Sequence, residues 1–134
     1  AEPIEGEQKQ KMEFNGESIL IAEDDDNNYE FLIEFLKDFR LTVIRANNGL
    51  EAVEICKNNP AIKLVLMDLK MPKMDGFEAM ATIKHISPGV RAIALTAFAM
   101  QSDEKKFLDS GFDDYISKPV TIELLITKIR KHLQ

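Results

Sequence analysis

Five side chains in this sequence, Glu23, Asp24, Asp68, Thr96 and Lys118, carry the groups that phosphoryl chemistry needs, provided that folding brings them together. Asp68 closes the apolar run Leu64-Val65-Leu66-Met67 and precedes Leu69-Lys70-Met71-Pro72. Glu23-Asp24-Asp25-Asp26 follows the apolar run Ile19-Leu20-Ile21-Ala22. Thr96 ends Ile93-Ala94-Leu95-Thr96, and Lys118-Pro119 follows Tyr115-Ile116-Ser117. Glu23, Asp24 and Asp68 against Lys118 leave two net negative charges. Two carboxylates about 5 Å apart repel by roughly 3 kcal/mol at an effective dielectric of about 20. Such a cluster calls for a proton or a cation, and hard oxygen ligands suit Mg²⁺ or Mn²⁺. A hydroxyl from Thr96 and an ammonium from Lys118 are then left to surround a tetrahedral anion on Asp68, the equipment for phosphoryl transfer to a nucleophilic carboxylate.

Each residue alone has a simpler explanation. Asp68 alone reads as a cap in a strand-to-helix loop. Asp25 and Asp26 are placed to complement a helix N-terminus, Asp26 as its cap. Thr96 alone reads as a turn residue and Lys118 as a solvated lysine. Their joint occurrence at successive strand ends favours a shared site.

The elements that must position them alternate along the chain. Strands are expected at 18–22, 42–46, 64–68, 91–96 and 114–117. Helices are expected at 28–39, 49–58, 76–86, 102–110 and 121–133. Asn59-Pro60 and Ser87-Pro88 stop two helices, Ser102 and Thr121 are N-caps, and Gly111 takes the position after a helix end. The pattern is (βα)₅, an α/β doubly wound parallel sheet of flavodoxin-like order 2-1-3-4-5. In that order strands 1 and 3 are neighbours, and ligands bind at the carboxyl edge where they diverge. Residues 1–17 are charged and broken by Pro3, Gly6 and Gly16, and read as a linker or lead-in to a domain at 18–134.

Bulk properties narrow the function. The 134 residues suit one domain, with 45% hydrophobic and 30% charged residues. A net charge of −6 argues against direct nucleic-acid binding, which needs clustered Lys and Arg. One cysteine, Cys56, excludes an internal disulfide and lies on an apolar helical stripe, as a small buried hydrophobe would. No stretch is long and apolar enough for a membrane span, and a cytoplasmic setting is expected. No Cys/His set exists for zinc. His85 and His132 are expected in solitary surface or helix-end positions, and Phe31, Phe35, Phe39 and Phe107 on helix faces or in the core.

Four stretches, Ile19-Leu-Ile-Ala-Glu-Asp-Asp, Val65-Leu-Met-Asp-Leu-Lys-Met-Pro-Lys-Met-Asp-Gly-Phe-Glu, Ala94-Leu-Thr-Ala and Gly111-Phe-Asp-Asp-Tyr-Ile-Ser-Lys-Pro, jointly resemble the receiver domain of two-component response regulators. The resemblance runs from about Ser18 to Leu133. It implies that Asp68 is the phosphoacceptor and that Asp24 ligates the metal directly, with Glu23 acting largely through water. The backbone carbonyl of Lys70 would be a further ligand. Thr96 and Lys118 would bind the phosphoryl group, Lys118-Pro119 would be a cis peptide, and Tyr115 would be the switch aromatic. Lys70 and Phe98 would flank the path of attacking water; bulky Phe98 would then lengthen the phosphoryl lifetime, the alternative being that it only packs against a loop. Glu23 departs from the commoner Asp, although Glu-Asp pairs also occur in the family.

The implied partner is a histidine kinase or a histidine phosphotransfer domain. The implied readout is the surface of helix 4, strand 5 and helix 5, where a homodimer would also form. The domain would catalyse its own phosphorylation and dephosphorylation while acting mainly as a signalling switch. The lead-in and the Thr96-Ala-Phe-Ala-Met and Gly111-Phe-Asp-Asp-Tyr stretches resemble receivers attached to hybrid histidine kinases, which can be membrane-anchored; a stand-alone regulator is the alternative. Two other classes compete. A phosphatase with an Asp-x-Asp pattern would need an acid where this chain has Lys70. A pseudo-receiver binding module would need a broken site.

Overall fold

In the computed structural model, which describes residues 14–97 and 104–133, five parallel strands and five helices alternate. The strands are β1 (Glu17–Ala22), β2 (Leu41–Ala46), β3 (Ile62–Asp68), β4 (Arg91–Thr96) and β5 (Asp114–Ser117). The helices are α1 (Asp26–Leu36), α2 (Gly49–Asn58), α3 (Gly76–Ile86), α4 (Glu104–Asp109) and α5 (Ile122–Leu133). The sheet order is β2-β1-β3-β4-β5, with all four pairings parallel. This is the expected flavodoxin-like arrangement, and β1 and β3 are neighbours.

The reason lies in the side-chain period of a strand. Leu20, Ala22, Val65, Met67, Ala92 and Ala94 point to one face, which α2, α3 and α4 cover with Ala52, Cys56, Met80, Ile83 and Phe107. Ile19, Ile21, Leu64, Leu66, Ile93 and Leu95 point to the other, which α1 and α5 cover with Leu32, Leu36, Leu125, Ile126 and Ile129. Both faces of β1, β3 and β4 are therefore dry, and their sequences read as unbroken apolar runs. Each fully buried Leu, Ile, Val or Met contributes about 1.5–3 kcal/mol.

Several boundaries moved. Helix α1 begins two residues earlier than the periodicity suggested, because Asp25 is its cap and accepts from the Asn28 N–H at 3.0 Å. Asp26 is not the cap; it lies in the first turn and pairs with Arg45. The helix ends at Leu36, and Phe39 packs on Phe14 instead, ring centroids 6.2 Å apart. Phe14 is fully buried in the α1/α5 layer, ahead of the first strand. Gly111 has φ +96°, the left-handed conformation that suits glycine after α4. Thr121 caps α5, its hydroxyl accepting from the Leu124 N–H at 3.3 Å. The Ser102 cap and Phe98 lie outside the described residues.

Candidate functional site at the carboxyl edge

Strands β1, β3 and β4 end on the same edge of the sheet, and their last residues deliver the chemistry. Ala22 pairs with Met67, so Glu23 and Asp68 leave adjacent strands at the same level. Asp68 pairs with Leu95, and Thr96 with Ser117, which places Lys118 beside them. The Lys118 N–H donates to the Thr96 carbonyl at 2.8 Å, carrying the ladder one step beyond β5. The Lys118–Pro119 peptide is cis.

Glu23, Asp24 and Asp68 each place a carboxylate oxygen within 4.8 Å of the others. Glu23 and Asp68 are buried, with 1% and 4% of their surface exposed, while Asp24 faces solvent. Lys118 Nζ donates to Asp68 Oδ2 at 2.9 Å. The Lys70 N–H donates to Asp68 Oδ1 at 2.9 Å, so both carboxylate oxygens are held. Thr96 is buried at the same edge. Tyr115 is half-buried on β5, its ring 5.2 Å from that of Phe107.

Burial pushes the Glu23 carboxyl up to about 7, reinforced by the Asp68 charge and only partly opposed by the Asp25 N–H and Lys118. A buried carboxylate forced towards its neutral form beside another carboxylate marks a place where positive charge is in deficit. This donor set, all oxygen, fits Mg²⁺ or Mn²⁺ and offers no soft ligand.

The loop from Asp68 to α3 is held from behind. Gly49, the first residue of α2, lies so close to Met74 that a Cβ there would meet the Met74 carbonyl oxygen at 2.3 Å. Asp75 caps α3, accepting from the Glu78 N–H at 2.9 Å. On the α1 side, a cleft of about 210 Å³ opens beside Glu23 and Lys118, lined by Phe31, Leu32, Phe35, Pro119 and Val120. Phe31 is 64% exposed and meets Phe35 edge-on.

Two groups escaped the reading of the sequence. Arg45 on β2 reaches the backbone of Glu23. His132 is not a surface histidine: it is buried, with Nε2 2.9 Å from Asp114 Oδ2 and Nδ1 2.9 Å from Arg91 Nη2. Arg91 can only donate, so Nδ1 accepts and the Nε2–H donates to Asp114. A basic residue near a helix end gave no local sign of that bridge. His85, by contrast, is exposed in the last turn of α3. Cys56 is buried, and burial pushes its thiol up to about 11.

A five-stranded doubly wound parallel sheet with an acidic cluster and a lysine at its carboxyl edge places the chain among flavodoxin-like α/β domains. The family model of the response regulator receiver domain matches residues 19–130, and the chain belongs to that family. A hybrid signal transduction histidine kinase of Dictyostelium discoideum is 38% identical over 131 residues, spanning 87% of this chain but only 7% of its own length. The receiver domain of the Saccharomyces cerevisiae response regulator Ssk1, solved with the histidine phosphotransfer protein Ypd1, superposes with a TM-score of 0.83 at 34% identity, covering 89% of this chain and 90% of that one. The receiver domain of a Pseudomonas aeruginosa sensor histidine kinase, solved with magnesium in its active-site cleft, has a TM-score of 0.80 at 30% identity, covering 89% and 98%. Among the described residues no helix is long and apolar enough to cross a membrane.

Proposed function

We propose that this receiver domain takes a phosphoryl group on Asp68 from a phosphohistidine partner, in a site that also holds Mg²⁺. The observation that carries the reading is the grouping of Glu23, Asp24 and Asp68 with the Lys118 ammonium 2.9 Å from Asp68. Glu23, Asp24 and Asp68, together with the Lys70 carbonyl, would hold the ion. When bound, Mg²⁺ would supply positive charge against the negative charge of the transferring phosphoryl group. An Asp68 oxygen attacks phosphorus, the phosphorus–nitrogen bond breaks, and its electron pair returns to the imidazole. Lys118 shifts its pairing from Asp68 to the phosphoryl oxygens, and the Thr96 hydroxyl donates to one of them. The acyl phosphate adds charge at the ends of β3, β4 and β5, and Thr96 and Tyr115 carry the change to the α4–β5–α5 surface. Water then hydrolyses it, with Lys70 and Phe98 setting access.

The apolar cleft around Phe31 and Phe35 opens next to this site and suits the side of a partner's helix, so that the histidine reaches Asp68. Similarity to a hybrid signal transduction histidine kinase supports a place in such a kinase, and we propose a cytoplasmic setting for it.

Incubation with Mg²⁺ and a small acyl-phosphate donor, read by intact mass, tests this. One phosphoryl group should appear, require the metal, and be lost in Asp68→Asn. Phosphorylation that persists in Asp68→Asn overturns the assignment, and rapid multiple turnover on phosphoesters would make the chain a phosphatase.

A further inference from the structure

Strand β2 supplies nothing to the acidic cluster directly, yet its last two residues grip the chain that carries Glu23 and Asp24. We propose that Arg45 is a positioning residue for the cation site: its guanidinium clamps the β1–α1 loop and thereby sets the affinity for a hard divalent ion. The inference rests on the metal site of the preceding reading.

Four contacts fix the guanidinium. Nη2 and Nε both donate to the Glu23 carbonyl oxygen, at 3.0 and 3.2 Å. Nη1 lies 2.8 Å from Asp26 Oδ1. The plane's carbon sits 4.4 Å from the centroid of the Tyr29 ring. The next residue along β2 completes the grip, since the Glu23 N–H donates to the Ala46 carbonyl at 3.0 Å. Glu23 is thus held at both backbone groups, just past the point where β1 ends and the ladder would leave its carbonyl without a strand partner. The chain on either side of Asp24 is tied to one rigid fork.

Geometry, not charge, is what the fork contributes. Its positive charge is already met by Asp26 in direct contact, so little of it is left to oppose a dication held by Glu23, Asp24 and Asp68. A planar fork can reach two separated acceptors and stack on a ring at once, whereas a lysine ammonium, despite its three donors, is a compact point charge with no planar face to stack. Without the fork, the loop must be ordered by the ion itself, and that ordering is drawn from the binding free energy. Partners outside the ligand sphere typically change metal affinity by roughly 10- to 100-fold.

The test is titration of the chain with MgCl₂ by calorimetry, in wild type, Arg45→Gln, Arg45→Lys and Asp24→Asn, with thermal unfolding in EDTA as the check on folding. Wild type should bind one ion and Asp24→Asn should lose it. Arg45→Gln and Arg45→Lys should both weaken the Kd by roughly tenfold, the low end for such outer contacts, while folding cooperatively in EDTA. A Kd for Arg45→Gln within about twofold of wild type, with Asp24→Asn still defective, overturns the role of Arg45. Full recovery in Arg45→Lys overturns it as well, since charge alone would then suffice. Binding that Asp24→Asn leaves intact removes the cation site itself.

Discussion

Lys118 Nζ lies 2.9 Å from Asp68 Oδ2, a pair made between residues fifty positions apart in the chain. The carboxylate is nearly buried and the lysine about one-third exposed, so the ammonium can leave without unpacking the core. The pair is therefore a charge held ready beside the reacting atom. Lys118→Gln should slow phosphorylation of Asp68 by roughly 10²-fold, the scale of losing one preorganised electrostatic group. Progress curves with a small acyl-phosphate donor at saturating Mg²⁺ measure it; an unchanged rate would reduce Lys118 to a structural counter-ion.

Glu23 predicts an unusual pH response in the absence of metal. Its carboxyl is raised from 4.5 to about 7 by burial first and by the Asp68 charge second. The folded state then binds a proton that the unfolded chain has released, so stability from this group falls as pH rises through that interval. Each unit of displacement corresponds to about 1.4 kcal/mol. In EDTA, Glu23→Gln should match wild type near pH 4.5 and become the more stable protein by pH 8. Thermal unfolding at several pH values reads the difference; a gap independent of pH would mean that Glu23 is not held back from ionising.

Asp114 has the opposite sign. Burial works upward on its carboxyl, but hydrogen bonds from Lys128, His132 and the Tyr115 N–H outweigh it and bring it down to about 2. The stability it supplies is complete above the usual aspartate value of 3.8 and is lost as pH falls towards 2. Asp114→Asn should lose roughly 1.5–3 kcal/mol at pH 7, the range for hydrogen bonds to a charged group, and the loss should shrink in acid. Urea denaturation at pH 7 and pH 3 separates this from a pH-independent packing defect.

The sheet order and the strand-end residues were legible because both follow from local pattern. Apolar runs mark strands covered on both faces, and a charged or hydroxyl residue at the end of each run has one edge to emerge on. The His132 bridge had no such signal. It joins α5 to the starts of β4 and β5, and only the folded packing shows that a basic helix end turns inward onto Asp114. Arg45 was hidden for a related reason: its alternation marks an ordinary strand, and its partner is the backbone of Glu23, which carries no sequence signature. The cap at Asp25 was displaced to Asp26 because four acidic residues in a row satisfy the same preference.

Gly49 supports the loop that follows Asp68 from the far side. A Cβ there would overlap the Met74 carbonyl, a backbone atom that cannot rotate away. Gly49→Ala should therefore destabilise the fold by roughly 1–3 kcal/mol, the range for overpacking. Chemical denaturation measures the loss. A neutral substitution would show that the α2 start and the Met74 backbone separate freely.

Phe31 separates partner recognition from chemistry. It is largely exposed and contributes little burial, so Phe31→Ala should leave stability within about 0.5 kcal/mol of wild type. It also lines the apolar cleft and contributes no polar atom to the acidic cluster, so the rate with a small phosphodonor should not change. Transfer from a phosphohistidine protein depends on docking, and an aromatic anchor is commonly worth about 2 kcal/mol or more, roughly thirtyfold in affinity. The expected signature is a raised apparent KM for the protein donor with an unaltered maximal rate. Equal loss with both donors would place Phe31 in the support of the site, and no loss with either would move the docking surface off α1.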